Sequence, residues 1–211
     1  MHELTAHRAP QRGFTLIELM VGLTILGILM ALGVPAMNNW VSMHKARSAH
    51  EFYAEGLNTA RREAVRHNAR SRLVLSANAN GQYDWQVDIC FPVPGTPCND
   101  ALGNWSTTAA VAANDPEGAN GFKSLLRSAS QLPKSEVIAP VLTPEGATAA
   151  YFTELGWADT TVDTRLTQIR LNPASRYANE ILPTSLVLTL AGMAVKCNPG
   201  VAAGDSRACP Q

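Results

Sequence analysis

One carboxylate stands alone in the most apolar stretch of this chain. Between Phe14 and Met37 the single charge is Glu18, about one helical turn into the run. A carboxylate deep in lipid costs several kcal/mol, so it must be neutralised, paired or close to the interface. Two readings follow: a charge at the membrane surface, or an ion pair with an α-amino group if the chain is cut just ahead of it. The other chemistry-bearing side chains do not converge. The five histidines, His2, His7, His44, His50 and His67, all fall in the N-terminal leader or first helix, and none lies beyond residue 68. Asp84 and Asp88 alternate with Trp85, Val87 and Ile89 and read as the solvent face of a strand. No Ser/His/Asp constellation, phosphate-cradling glycine loop or metal-ligand cluster appears, so neither catalysis nor a bound metal or cofactor is expected.

The four cysteines, Cys90, Cys98, Cys197 and Cys209, lack the spacing of a zinc knuckle. Beyond a membrane anchor, two pairs that each close a short loop read as disulfides in an oxidising compartment. Three connectivities are open, of which local pairing is the simplest. Each bridge would contribute roughly 2–4 kcal/mol, mainly by restricting the unfolded chain.

The element that must position Glu18 is a helix. At about 1.5 Å per residue, Phe14 to Met37 spans roughly 36 Å, enough to cross a bilayer core of about 30 Å. The run has no polar face before Asn38, so it belongs in lipid or against similar helices. Residues 1–13 are polar, with Arg8 and Arg12 ahead of the run, which predicts a cytoplasmic N-terminus and an exported remainder. No small-residue cleavage site follows the apolar run, unlike an ordinary secretory signal. A processing junction therefore fits better before it, at Gly13-Phe14. Gly33 and Pro35 interrupt the far end, where a kink or local unwinding is expected.

The stretch Gly13-Phe14-Thr15-Leu16-Ile17-Glu18-Leu19-Met20-Val21 resembles the class III signal of type IV prepilins and type II secretion pseudopilins. The resemblance implies that a prepilin peptidase cuts after Gly13 and methylates Phe14. It also implies that Glu18 serves assembly by meeting the N-terminal amine of a neighbouring subunit. A second stretch, from Leu57 to Leu75, resembles the helix end of the GspH/FimT group of minor pilins and pseudopilins. Its pattern is L-x-x-A-R-x-E-A-x-x-x-N, matched by Leu57, Ala60, Arg61, Glu63, Ala64 and Asn68.

From Trp40 to about Asn68 the pattern turns amphipathic, with Ala46, Ala49, Tyr53, Leu57, Ala60 and Ala64 forming a narrow stripe of mostly small residues. A sheet can approach such a stripe closely. Basic residues from Lys45 to Arg72 crowd the same region and read as a solvated face and helix end. Candidate strands follow at Leu73–Leu75, Tyr83–Cys90, Val137–Leu142, Ala149–Leu155, Arg165–Leu171 and Ser185–Leu190. A last hairpin arm runs from Ala191 to Cys197. Residues 99–135 show little periodicity and read as a variable surface insertion with a short helix near Phe122–Ser128.

The expected organisation is a leader (1–13), a transmembrane or filament-core helix (14–37), an amphipathic helix (38–69) and a β-rich head (70–211). The fold class is α+β: a long N-terminal helix packed on antiparallel sheet, pilin-like by resemblance. Only 16% of the 211 residues are charged and 6% aromatic, which suits an extracytoplasmic, loop-rich protein. Basic and acidic residues balance at 17 each, so net charge argues for no nucleic-acid partner.

The resemblance implies a structural subunit that helps start or cap a type IV pilus or a type II secretion pseudopilus. Its partners would be other pilins or pseudopilins, the prepilin peptidase and the inner membrane, crossed once with the head in the periplasm before incorporation into a filament. The disulfides and the insertion lean toward a pilus. A DNA- or surface-binding minor pilin is the alternative. DNA-uptake relatives use arginines on C-terminal loops, whereas this tail offers only Lys196 and Arg207 with Asp205 beside them, so DNA is not favoured.

Overall fold

The computed structural model describes residues 15–210; the expected cleavage residues Gly13 and Phe14 lie outside them. One helix, α1, runs Leu16–His67. Eight strands follow: β1 Arg70–Ala77, β2 Tyr83–Cys90, β3 Leu125–Arg127, β4 Ile138–Thr143, β5 Ala149–Phe152, β6 Gln168–Pro173, β7 Thr184–Leu188 and β8 Ala194–Cys197. The chain divides into two compact units, with the boundary between Val41 and Ser42. Helical structure is unbroken across residues 33–35.

The head unit, residues 42–211, holds two antiparallel sheets of four strands, ordered β3-β2-β1-β5 and β4-β6-β7-β8. The α+β class expected from the sequence is the one observed. The small-residue stripe of α1 does what its spacing predicts. Ala46, Ala49, Tyr53, Leu57, Ala60 and Ala64 are all buried in one core cluster with Leu73, Val87, Phe152, Ile169, Leu171 and Leu186. Gly56 extends the close approach. A Cβ there would sit 3.1 Å from Leu73 Cδ1 and Trp85 Cγ, tighter than ordinary contact. Ser71 fixes the register by donating to the Ala60 carbonyl at 2.6 Å.

A buried amide joins parts of the head that are distant in sequence. Gln82 is fully buried just before β2, where its Oε1 accepts from the Tyr53 hydroxyl at 2.9 Å. Its Nε2 donates to the carbonyls of Pro133 and Ile138, each at 2.8 Å. Burial also pushes the Tyr53 phenol well above its ordinary range, so it remains a donor. Gln82→Ala strands three polar groups that water cannot reach. It should cost about 2 kcal/mol or more and lower Tm by roughly 5 °C. Thermal unfolding by circular dichroism measures this, and Tyr53→Phe, which removes the bond to Gln82 and the one from the Tyr83 amide, should cost less.

Three expectations need correction. The short helix proposed near Phe122–Ser128 is strand β3, which pairs Leu125, Leu126 and Arg127 with Val87, Gln86 and Trp85. Three residues satisfy the open edge of β2, whereas a helix that short leaves its own end groups unpaired. The insertion is also less superficial than its composition suggests. Ser106 Oγ accepts from the Ile89 amide at 3.0 Å and lies 2.9 Å from Ser124 Oγ. Asp115 Oδ1 accepts the Glu117 amide and Oδ2 the Phe122 amide.

The third correction concerns Asp84 and Asp88, which are not plain surface. Asp88 is 1% exposed, paired directly across the strands with Arg72. Arg72 Nε donates to Asp88 Oδ2 at 2.9 Å, and its guanidinium lies 4.4 Å from the Trp105 ring centre. The insertion thus roofs the face of β1 and β2 that turns away from α1. Asp84 accepts from the Ala129 amide, Asn78 and Ser128. Burial works to raise its carboxyl, but these donors outweigh it and leave the group below its ordinary value.

Candidate assembly site

Glu18 lies in the first turn of α1, and its carboxylate is exposed. Its backbone N–H donates to Thr15 Oγ1 at 3.3 Å, so Thr15 caps the helix three residues before it. A negative side chain at that position also complements the positive end of the helix dipole. Sequence reasoning passes over Thr15, although Thr-x-x-Glu ahead of an apolar run is a known N-terminal signature.

From Leu16 to Val34, 19 residues, none of the helix is buried. At about 1.5 Å per residue that run is close to the thickness of a bilayer core. Every large apolar side chain from Leu16 to Val34 faces outward, and a Cβ added at Gly22, Gly27 or Gly33 would meet nothing. Thr24 satisfies its hydroxyl on the Met20 carbonyl one turn back. The surface is therefore apolar, with Glu18 its one charged group. It can insert in lipid or pack against helices like itself, and its carboxylate can meet a cation near the helix start.

The second motif region, at the end of α1, is structural. Leu57, Ala60 and Ala64 are core residues, and Arg61 Nε donates to the Gly156 carbonyl at 3.1 Å. Asn68 takes a left-handed conformation, φ 47°, while the Ala69 amide returns to the Ala64 carbonyl at 3.0 Å. This closes the helix and turns the chain into β1. Glu63 lies under His67 and Arg66, at 3.4 and 3.7 Å.

The basic cluster is largely committed to the fold. Arg70 pairs with Asp159 and Glu154, and Arg72 with Asp88. Arg62 donates to Thr59 Oγ1. In the tail, Arg207 clamps Asp205 with its side chain and amide, holding that carboxyl down at about 2. Arginines so engaged do not form the free cationic track that phosphate binding requires. The cysteines pair locally, Cys90 with Cys98 and Cys197 with Cys209. Among the described residues no group of His, Cys, Asp and Glu is arranged to hold a metal.

An outward-facing apolar helix with one first-turn carboxylate, together with an antiparallel α+β head packed on the second part of the same helix, defines a pilin-like protein. Residues 8–34 match the family model for the prokaryotic N-terminal methylation motif, and residues 49–194 match that for type II transport protein GspH. The second match covers more than two thirds of the chain, which belongs to the GspH family. It is a minor pilin or pseudopilin of a type II secretion system or type IV pilus. That family is structural rather than enzymatic, and membership implies assembly with other pilins after processing by a prepilin peptidase. The signal and the apolar helix point to anchoring in the inner membrane. No solved structure matches the chain.

Proposed function

We propose that this chain is a non-catalytic filament subunit, made as a precursor and cut between Gly13 and Phe14. The new N-terminal Phe14 is methylated, and residues 14–37 hold the subunit in the inner membrane with the head in the periplasm. The subunit then joins a pilus or pseudopilus, helping to initiate or cap it. Glu18 compensates the α-amino group of a neighbouring subunit while the apolar helices pack side by side. The observation that carries this reading is the solitary Glu18 on an otherwise apolar, outward-facing helix. After the cut, Glu18 would stand four residues from the new amine, within the same end of the helix.

Gly33 and Pro35 mark the point where the helix yields during assembly. Proline withholds one backbone donor there, which leaves that turn a hydrogen bond short. The processing step has a direct test. Intact-mass spectrometry of the membrane-extracted parent should show a chain beginning at a methylated Phe14. Gly13→Ala should retain residues 1–13 or lose them much more slowly. A Gly13→Ala chain processed at the parental rate would show that the junction lies elsewhere.

A further inference from the structure

The head carries a cavity of about 560 Å³ where the start of its helical segment meets the β6–β7 loop and β8. Its walls include Ile138, Ile181, Leu182 and Pro183, so it is chiefly apolar. Among the described residues, no carboxylate lies at ion-pair distance from two cations that line it, Arg47 on α1 and Lys196 on β8. Lys196 Nζ instead lies 3.2 Å from His50 Nε2. That contact needs His50 neutral, with Nε2 accepting. Burial lowers the His50 pKa first, and the Lys196 charge lowers it further.

Among the described residues, the other charged groups near this corner do not supply the missing anion. Glu51 approaches His50 only at 3.9 Å with its side chain 76% exposed. Glu180 is exposed at the rim, and Asp205 is engaged by Arg207.

We infer that this cavity is a docking site for a protein partner's peptide segment, in which aliphatic side chains enter the apolar floor and a carboxylate is received between Lys196 and Arg47. Charge complementarity selects the carboxylate, and the walls select its neighbours. A nucleic-acid backbone brings phosphates but no aliphatic groups for Ile181 and Leu182.

The test uses the processed chain in a neutral maltoside micelle, with ring-labelled histidine. Of the five histidines, two precede the expected cut, leaving His44, His50 and His67, which single His→Gln variants assign. The probes are acetyl-Ala-Leu-Leu with a free carboxyl terminus, acetyl-Leu-Asp-Leu-amide, and acetyl-Ala-Leu-Leu-amide as the uncharged control. Either carboxylate peptide should move the His50 resonances and raise the His50 pKa, because an anion then offsets Lys196. The amide should bind at least tenfold more weakly. Lys196→Met and Arg47→Gln, both at exposed positions, should each weaken carboxylate binding at least tenfold without changing Tm. The two carboxylate probes separate a chain terminus from an internal acidic residue.

Equal response to acid and amide peptides would overturn the proposal, as would no response from His50. So would Lys196-dependent binding of a duplex oligonucleotide, or of phosphatidylglycerol vesicles, at 150 mM salt in the absence of peptide binding.

Discussion

Glu18→Ala is expected to leave membrane insertion and leader removal unchanged while cutting recovery in sheared filaments to about one-tenth or less, the equivalent of about 1.4 kcal/mol per contact. Insertion should not suffer, because removing a carboxylate from an apolar helix relieves a cost. The helix should not suffer either. Thr15 still caps it through the residue 18 backbone, and alanine is the better helix former. What disappears is the one group on this surface able to meet an amine. Glu18→Gln keeps the shape and a hydrogen-bonding oxygen but not the charge, and should fall between parent and alanine. Immunoblots of sheared and membrane fractions, with intact masses, separate assembly from processing. Parental recovery of Glu18→Ala in filaments would end the assembly role assigned to Glu18.

The largest effect on the head is expected from Arg72→Ala, at about 3–5 kcal/mol. Asp88 is 1% exposed, and without Arg72 its remaining side-chain partner is Gln86 Nε2 at 2.7 Å. A charge left in that position has no water to turn to. The stacking of Arg72 on Trp105 is lost at the same time. Asp88→Ala should cost less, because the Arg72 side chain is 23% exposed and its guanidinium can find solvent. For a chain of this size, Arg72→Ala should lower Tm by roughly 10 °C. Differential scanning calorimetry of both variants checks the order as well as the size. If Asp88→Ala proved the more damaging, the pair would be acting through geometry rather than through the stranded charge.

Local causes were legible in the residues; distant ones were not. The stripe from Ala46 to Ala64 is spaced for one helix face, and that face is buried. Asn68 closes the helix because asparagine tolerates the left-handed turn that β1 requires. Strand β2 alternates clearly enough to be placed to the residue. Strand β3 does not, since Leu125, Leu126 and Arg127 are all exposed and form a strand only because β2 offers an edge. The burial of Asp88 depends on Arg72 opposite and on Trp105 arriving from another part of the chain, and no period within β2 encodes either. Gln82 follows Gly81 in a turn and resembles loop composition, yet it ties α1 to the approach to β4. At the assembly site, the isolation of Glu18 could be read directly, because what marks it is the absence of other charges around it.

Two polar groups of the apolar part of α1 are satisfied within it: the Thr24 hydroxyl on the Met20 carbonyl, and the Glu18 amide on Thr15. For a subunit leaving the bilayer for a bundle of like helices, hydrocarbon is exchanged for hydrocarbon, with no net hydrophobic gain in either direction. For those 19 residues, close packing and polar contacts rather than hydrophobic burial would then decide the exchange. In the proposed filament, the Glu18 contact would therefore help set the direction of that transfer.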